Sequence, residues 1–271
     1  MGKTLVTFHA HPDDEAIATG GTMARAAAEG HRVVLVVATR GEHGEVAEGF
    51  LGDDESLWQR RVDETHQAAK VLGVARVEFL GYRDSGMIGT PENDEPGSFW
   101  TADVEEAAGR LAAILTEEGA DVLTVYDANG GYGHPDHIQV HRVGVRAAEL
   151  AGTPRVYEST MNRDHLMRVM QTARDAGIDP PGGVEVPDPV VDAEFSEDFG
   201  TPEALITTFV DVGAFLDRKR AAMAAHASQI DESSFFLAMP KELFDAGFGT
   251  EWFIRRGTPP ETRETWLFGD S

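Results

Sequence analysis

Two stretches of the chain concentrate side chains that can do chemistry. The first is His9-Ala10-His11-Pro12-Asp13-Asp14-Glu15; the second, far downstream, is Tyr132-Gly133-His134-Pro135-Asp136-His137. There is no cysteine, so disulfides, thiolate metal sites and a cysteine nucleophile are excluded. The ligand types left are imidazole and carboxylate. Two histidines and one carboxylate, with a position open to water, make a catalytic zinc arrangement; the same set suits ferrous iron. Asp13 and Asp14 are neighbours with diverging side chains, so one can bind a cation while the other takes a proton from water. Zinc brings the pKa of a bound water to about 7, and a carboxylate beside it serves as general base.

For these distant stretches to form one centre, the fold must bring them together. Residues 4–8 are a β-branched run, and residues 32–39 are a continuous apolar run of the kind buried on both faces of a sheet. Residues 76–80, 121–126 and 155–159 read as three further strands. Helical stretches at 16–29, 57–72, 102–118 and about 135–151 lie between them, the first three stopping at Gly30, Gly73 and Gly119. Strand and helix in alternation predict a doubly wound, mostly parallel α/β sheet, Rossmann-like in form. Such sheets bind ligands outside the carboxyl ends of the strands, where the strand order reverses. In the common winding order strands one and four flank that point, and each runs directly into one of the two clusters.

After this alternation the pattern weakens. Residues 177–201 are rich in Pro, Gly and Asp and read as loop. Residues 205–210 suggest a strand and 213–229 a helix, and 252–268 suggest two short strands around Thr258-Pro259-Pro260. The expected organisation is a core over 1–175 and a smaller α+β extension over 176–271 that packs on it and adds to the pocket. The long loops 41–53 and 82–100 are expected to wall that pocket, with Glu42, Glu45, Glu48 and Asp53 favouring hydroxyl-rich or cationic substrates.

Several candidates have structural readings. His9 shares a strand face with His11 and reads as a packed or hydrogen-bonded core residue. Asp13 or Asp14 could serve only as a helix N-cap. His141 shares a helix face with His137 but lies a turn further from the strand end, and reads as structural. His31, His43, His66 and His165 read as solvated. Asp and Glu number 47 against 23 Lys and Arg, a formal charge of −24. That repels nucleic acid and anionic membrane surfaces, so neither is an expected partner. The apolar run at 33–38 is far below the roughly 20 residues needed to span a bilayer, and no targeting segment is visible. A cytoplasmic protein is expected, with the oligomeric state left open.

The two clusters, in this order and spacing, resemble the PIG-L / LmbE-like family of zinc-dependent N-deacetylases, which includes the deacetylase of mycothiol biosynthesis and the mycothiol S-conjugate amidase. The similarity extends through Arg61-Val62-Asp63-Glu64, Leu72-Gly73-Val74 and Gly81-Tyr82-Arg83-Asp84-Ser85-Gly86-Met87, and His226-Ala227-Ser228-Gln229 resembles a C-terminal signature of the family. The resemblance implies that His11, Asp14 and His137 hold zinc, with ferrous iron as the alternative, and that Asp13 is the general base. It implies that His134 stabilises the oxyanion or protonates the leaving amine, and that Tyr132 assists at the carbonyl oxygen. Asp136 sits where it could orient His134 or His137. Arg61, Asp84 and Arg83 match positions near the substrate or behind the site. The implied reaction removes the acetyl group from a small N-acetylglucosamine-type glycoside, giving acetate and an amine. A mycothiol-type S-conjugate is the alternative substrate. Two rivals from other classes are a ferrous 2-His-1-carboxylate oxygenase and a dinucleotide-binding protein. For the latter no Gly-x-Gly-x-x-Gly follows strand one, and Gly20-Gly21 falls inside the first helix. A binding module with a structural metal is the weakest rival, because such a site fills all four positions.

Overall fold

The apolar run after Arg32 is buried residue by residue, and its side chains alternate between two cores. Val33, Leu35 and Val37 enter one, Val34 and Val36 the other. This is the strand β2 (Arg32–Val37), and it lies beside β1 (Thr4–His9) in a computed structural model that describes residues 2–175 and 199–269. The other strands are β3 (Arg76–Phe79), β4 (Val122–Tyr126), β5 (Arg155–Thr160), β6 (Thr208–Asp211) and β7 (Thr250–Arg255). They form a seven-stranded sheet of order β3-β2-β1-β4-β5-β7-β6. The first five are parallel; β7 joins β5 antiparallel and β6 joins β7 antiparallel. The chain winds outward from β1 through β2 to β3, then returns to β4 on β1's other side. The reversal therefore falls between β1 and β4, as the sequence predicts.

Helices cover both faces. α1 (Asp14–Ala18), α2 (Gly20–Ala28) and α3 (Leu57–Leu72) precede β3; α4 (Val104–Glu118), α5 (Pro135–Ala151) and α6 (Arg163–Asp175) follow it; α7 (Leu216–Ala225) and α8 (Lys241–Phe248) come from the C-terminal part. Their ends follow local chemistry. α3 begins with a Ser56–Gln59 capping box and stops at Gly73, which is left-handed with φ 82°. α5 begins at Pro135 behind an N-capping His134, whose side chain accepts the Asp136 N–H. One core lies under α2, α3 and the C-terminal Phe253, Trp266 and Leu267; the other lies under α4 and α5. Among the described residues no helix is long and apolar enough to cross a membrane.

The departures from expectation share one cause, contact with chain remote in sequence. Residues 16–29 are not one helix: the chain breaks at Thr19, and the new N-terminus is held by Glu251, which accepts from Gly21 N and Thr22 N at 2.8 Å each. The fully buried Lys219 pairs with that carboxylate at 2.5 Å. Gly21 is required there, because a Cβ would lie 2.5 Å from Val212 Cβ. Helix 213–229 is shorter than expected: a 3₁₀ turn over Gly213–Phe215 leads into α7, which ends at Ala225 because His226 turns the backbone. The strand expected at 205–210 forms at Thr208–Asp211 behind a 3₁₀ turn. The tail forms only β7; past its turn the pairing shrinks to one bridge, Glu264 with Thr208. α6 and α8 were not anticipated. Most of the loop expected at 177–201 lies outside the described residues. His31 is not solvated but stacks on Phe268 at 3.9 Å, and His165 contacts Ala246 O and Trp252.

Where α5 crosses β4, a Cβ added at Gly144 would strike the Val125 side chain. Gly144→Val should lower unfolding stability by about 1–3 kcal/mol through overpacking, read as an earlier denaturant midpoint.

Candidate metal centre

The loop leaving β1 carries His11, Pro12 and Asp13 across the crevice to α1. The turn leaving β4 carries Asp127 to Gly133 to the start of α5. Asp127 braces that turn: its carboxylate accepts from Asn129 N, Gly131 N and Thr160 Oγ1. Gly130 must be glycine, with φ 64° and a would-be Cβ 2.6 Å from His137 Cβ. Its carbonyl lies 3.2 Å from His137 Nδ1. With Nδ1–H donating there, the tautomer leaves Nε2 with a lone pair. His137 Nε2 is buried and has no hydrogen-bond partner.

Asp14 Oδ2 lies 3.4 Å from His137 Nε2 and 3.3 Å from His11 Nδ1. Metal bonds of about 2.0–2.1 Å at tetrahedral angles place neighbouring ligand atoms about 3.3–3.4 Å apart. The two spacings from Asp14 match those of ligands that share a divalent ion. Imidazole nitrogens of His11, His134 and His137 also converge, all within 4.8 Å of one another. The other nitrogen of His11 is held from behind: Nε2 lies 3.1 Å from Asp136 Oδ2 and 3.5 Å from Asp84 Oδ1. Asp136 in turn accepts from Ser85 N at 2.9 Å and Ser85 Oγ at 2.5 Å. His11 is thus turned with Nδ1 toward the crevice, and the second carboxylate cluster around it, Asp84 with Asp136, orients the ring. Burial opposes charge on His11, but Asp84, Asp136 and Asp14 push its pKa well above the usual value. The same imidazole holds Asp84 well below the carboxylate range, against burial.

Asp13 occupies the N-cap position of α1, yet its side chain makes no capping bond. Burial pushes its pKa up to about 6, with Arg61 opposing the rise and Asp14 adding to it. Arg61 is buried on α3, donates to Pro12 O at 2.6 Å and Gly41 O at 2.8 Å, and lies 3.4 Å from Asp13 Oδ2. Burial, with repulsion from His11 and His137, lowers His134 to about 4. His134 is therefore a neutral imidazole near pH 7, and because Nδ1 accepts the Asp136 N–H at 3.1 Å, its proton sits on Nε2. Tyr132 is half-exposed and stands edge-on to His137 at 5.0 Å and to His134 at 6.2 Å.

Not every candidate joins the cluster. Arg83 is exposed and paired with Glu95 at 3.4 Å, which removes it from the shell behind His11. His9 is a core residue between Tyr126 OH and Thr19 Oγ1, 2.9 Å from each, and His141 bonds to Tyr126 O. The sequence reading passed over Tyr126, whose ring stacks on His137 at 4.4 Å, and Ser85. The position of Tyr126 as last residue of strand four is a usable signal; Ser85 lies within the family-like stretch 81–87, but nothing local gives it a role. Loops 41–53 and 82–100 are tied together at Asp84, which accepts from His43 N and donates its own N–H to Glu42. A cavity of about 890 Å³ reaches Asp14 and His137 from the β5 side, walled by apolar residues that include Met170, Leu243 and Trp252.

A mostly parallel α/β sheet with a histidine–carboxylate cluster able to hold a metal ion at its switch point defines the class of protein. The chain belongs to the PIG-L family, described as GlcNAc-PI de-N-acetylase, whose model matches residues 6–148. It is 44% identical, over 95% of its length and 90% of the relative's, to a 1D-myo-inositol 2-acetamido-2-deoxy-alpha-D-glucopyranoside deacetylase of Acidothermus cellulolyticus. A like-named protein of Catenulispora acidiphila is 43% identical over 89% of this chain and 80% of its own. In fold the chain is similar to the N,N'-diacetylchitobiose deacetylase of Pyrococcus horikoshii, with TM-score 0.55 and 23% identity over 95% of this chain and 84% of that one.

Ser85→Ala removes a donor to Asp136 without touching the crevice. It should weaken binding of a divalent ion about 10–100-fold, measured by competition with a metal-binding dye, and lower unfolding stability by about 1–3 kcal/mol, because Asp136 Oδ1 and Trp100 N each lose a buried partner.

Proposed function

We propose that this chain hydrolyses the acetamide of an N-acetylglucosaminyl-inositol, releasing acetate and a free amine. The observation that carries this reading is the position of Asp14 Oδ2, equally spaced from His11 Nδ1 and from the partnerless His137 Nε2. The relatives' printed substrate supplies the glycoside.

In this reading His11, Asp14 and His137 hold a zinc ion, in keeping with an all-imidazole and carboxylate donor set. Bound there, zinc would polarise the acetamide carbonyl and acidify a water. The chain's own groups do the rest. Asp13, with a pKa of about 6, is mostly ionised at neutral pH and basic enough to take the proton of the attacking water. Arg61 keeps that carboxylate from rising further. The neutral His134 offers an Nε2–H to the developing oxyanion, the kind of fixed donor that supplies a large share of catalysis in water-poor sites. A pKa of about 4 makes it a hydrogen-bond donor rather than a reservoir of an extra proton. The proton held by Asp13 then passes to the amine nitrogen as the C–N bond breaks. Tyr132, edge-on to both imidazoles, would assist at the carbonyl oxygen.

The apolar cavity beside Asp14 and His137 favours a second reading, an amidase that hydrolyses the amide of a mycothiol-type S-conjugate carrying an apolar group.

Asp13→Ala should lower kcat by about 10²–10⁴-fold with metal retained, whereas His137→Ala should lose the metal; amine release and elemental analysis of the purified variants read the two effects. Near-normal turnover in Asp13→Ala would remove it as the base. Wild-type protein should release amine from N-acetylglucosaminyl-inositol in strictly anaerobic buffer, and chelation should abolish the release. A requirement for oxygen would point to the ferrous oxygenase instead.

A further inference from the structure

Asp13 is the one non-glycine residue with positive φ among the described residues, at φ 101° and ψ −33°. Such backbone is strained and persists only where its surroundings over-determine it. Two hydrogen-bond networks do so, one through the neighbouring Glu15 and one through Arg61, and both are anchored far away in the chain. The Asp13 N–H donates to Glu15 Oε2 at 3.0 Å. The other oxygen of Glu15 lies 2.6 Å from His226 Nε2, and both side chains are fully buried. His226 opens the turn that ends α7, and its own carbonyl accepts from Gln229 N and Ile230 N, which fixes its place. His226 Nδ1 is buried without a partner, so the imidazole's one hydrogen bond goes to Glu15.

The same turn reaches the carboxylate side of Asp13. Ser228 donates through N and Oγ to Glu64, at 2.9 and 2.6 Å. One turn before Glu64 on α3 stands Arg61, which grips Pro12 O and approaches Asp13 Oδ2. Gln229 donates to Glu45 O in the loop after β2. Residues 226–229 therefore brace Asp13 from two directions across more than two hundred positions of chain. A buried carboxylate is costly to keep unless its partners are in place. Here its oxygens are taken up by an imidazole and by the N–H of the strained residue itself.

We propose that Glu15 and His226 are positioning residues for Asp13: the pair holds the Asp13 backbone in its left-handed conformation and so sets where the base stands. This rests on Asp13 being the base. A displacement of about 1 Å in a reacting group costs on the order of 10²-fold in rate, which sets the scale of the effect.

The test uses full-length protein loaded with zinc, with N-acetylglucosaminyl-inositol as substrate. Glu15→Ala should lower kcat about 100-fold with KM, zinc content and folded fraction near wild type. Glu15→Gln, whose carbonyl can still accept the Asp13 N–H, should recover most of that loss. At 226 the two amides separate the contact from bulk. Gln places a donor at the same reach as the imidazole Nε2 and should stay within about fivefold of wild type. Asn is one carbon too short and should behave like Glu15→Ala. The amide pair reads the contact even if Glu15→Ala does not fold. In an Asp13→Ala background His226→Asn should make no further difference, since groups acting through one another are not additive. Equal losses in both backgrounds, equal rates for Gln and Asn at 226, or loss of zinc from folded Glu15→Ala would overturn the inference while leaving Asp13 as base. A fully active Asp13→Ala would overturn the base assignment, and the inference with it.

Discussion

Like charge gathered out of water is the constraint around which the crevice is arranged. Asp13, Asp14, Asp84 and Asp136 stand among His11, His134 and His137 at the switch point, with Arg61 close to Asp13. Carboxylates so close repel one another and lose hydration, and the arrangement is tolerable only if each has donors and the cluster has a cation. The donors are visible: Ser85 on Asp136, Gly86 N and His43 N on Asp84, the His11 N–H on Asp14. One buried nitrogen, His137 Nε2, is left without a hydrogen-bond partner, and in the proposed function it is a ligand of that cation.

That constraint divides two adjacent carboxylates. Asp14 faces both imidazoles, and His137 with His11 holds its pKa well below the usual range despite burial. Asp13, one residue earlier, turns the other way on a strained backbone, meets only Arg61, and is pushed up to about 6. Environment alone makes one a ligand-like anion and the other a base-like carboxylate. Proline follows both His11 and His134, and the second proline opens a helix whose N-cap is His134 itself.

The C-terminal part is not an ornament on the parallel sheet. β7 and β6 continue it past β5, Glu251 on β7 caps α2, and the turn after α7 reaches Glu15 and Glu64. The apolar cavity beside the centre is walled largely from the β5 side and this region. A similar sheet and centre could therefore serve different amides by changing that wall, consistent with function residing in sites built on a common scaffold.

Much of this was legible before any coordinates. Period and composition placed β1 to β5, put α3 and α5 within a residue of their observed ends, and put the strand reversal between β1 and β4, because those features follow from local propensity, capping and burial on both faces. Residue type, spacing and strand-end position brought the two His/Asp clusters to one crevice, and the family resemblance singled out His11, Asp14 and His137 within them. Tertiary structure alone decided the rest. The helix break at Thr19 depends on a carboxylate some 230 residues away, the left-handed Asp13 depends on Glu15 and His226, and the orientation of His11 depends on Ser85 through Asp136. Arg83 matched a pattern and still turned to solvent. Sequence determined which ligands exist and which strands deliver them, since both are local properties. Which nitrogen of each imidazole faces the crevice, and how the two neighbouring aspartates come to differ, was decided by long-range hydrogen bonds that no local pattern encodes.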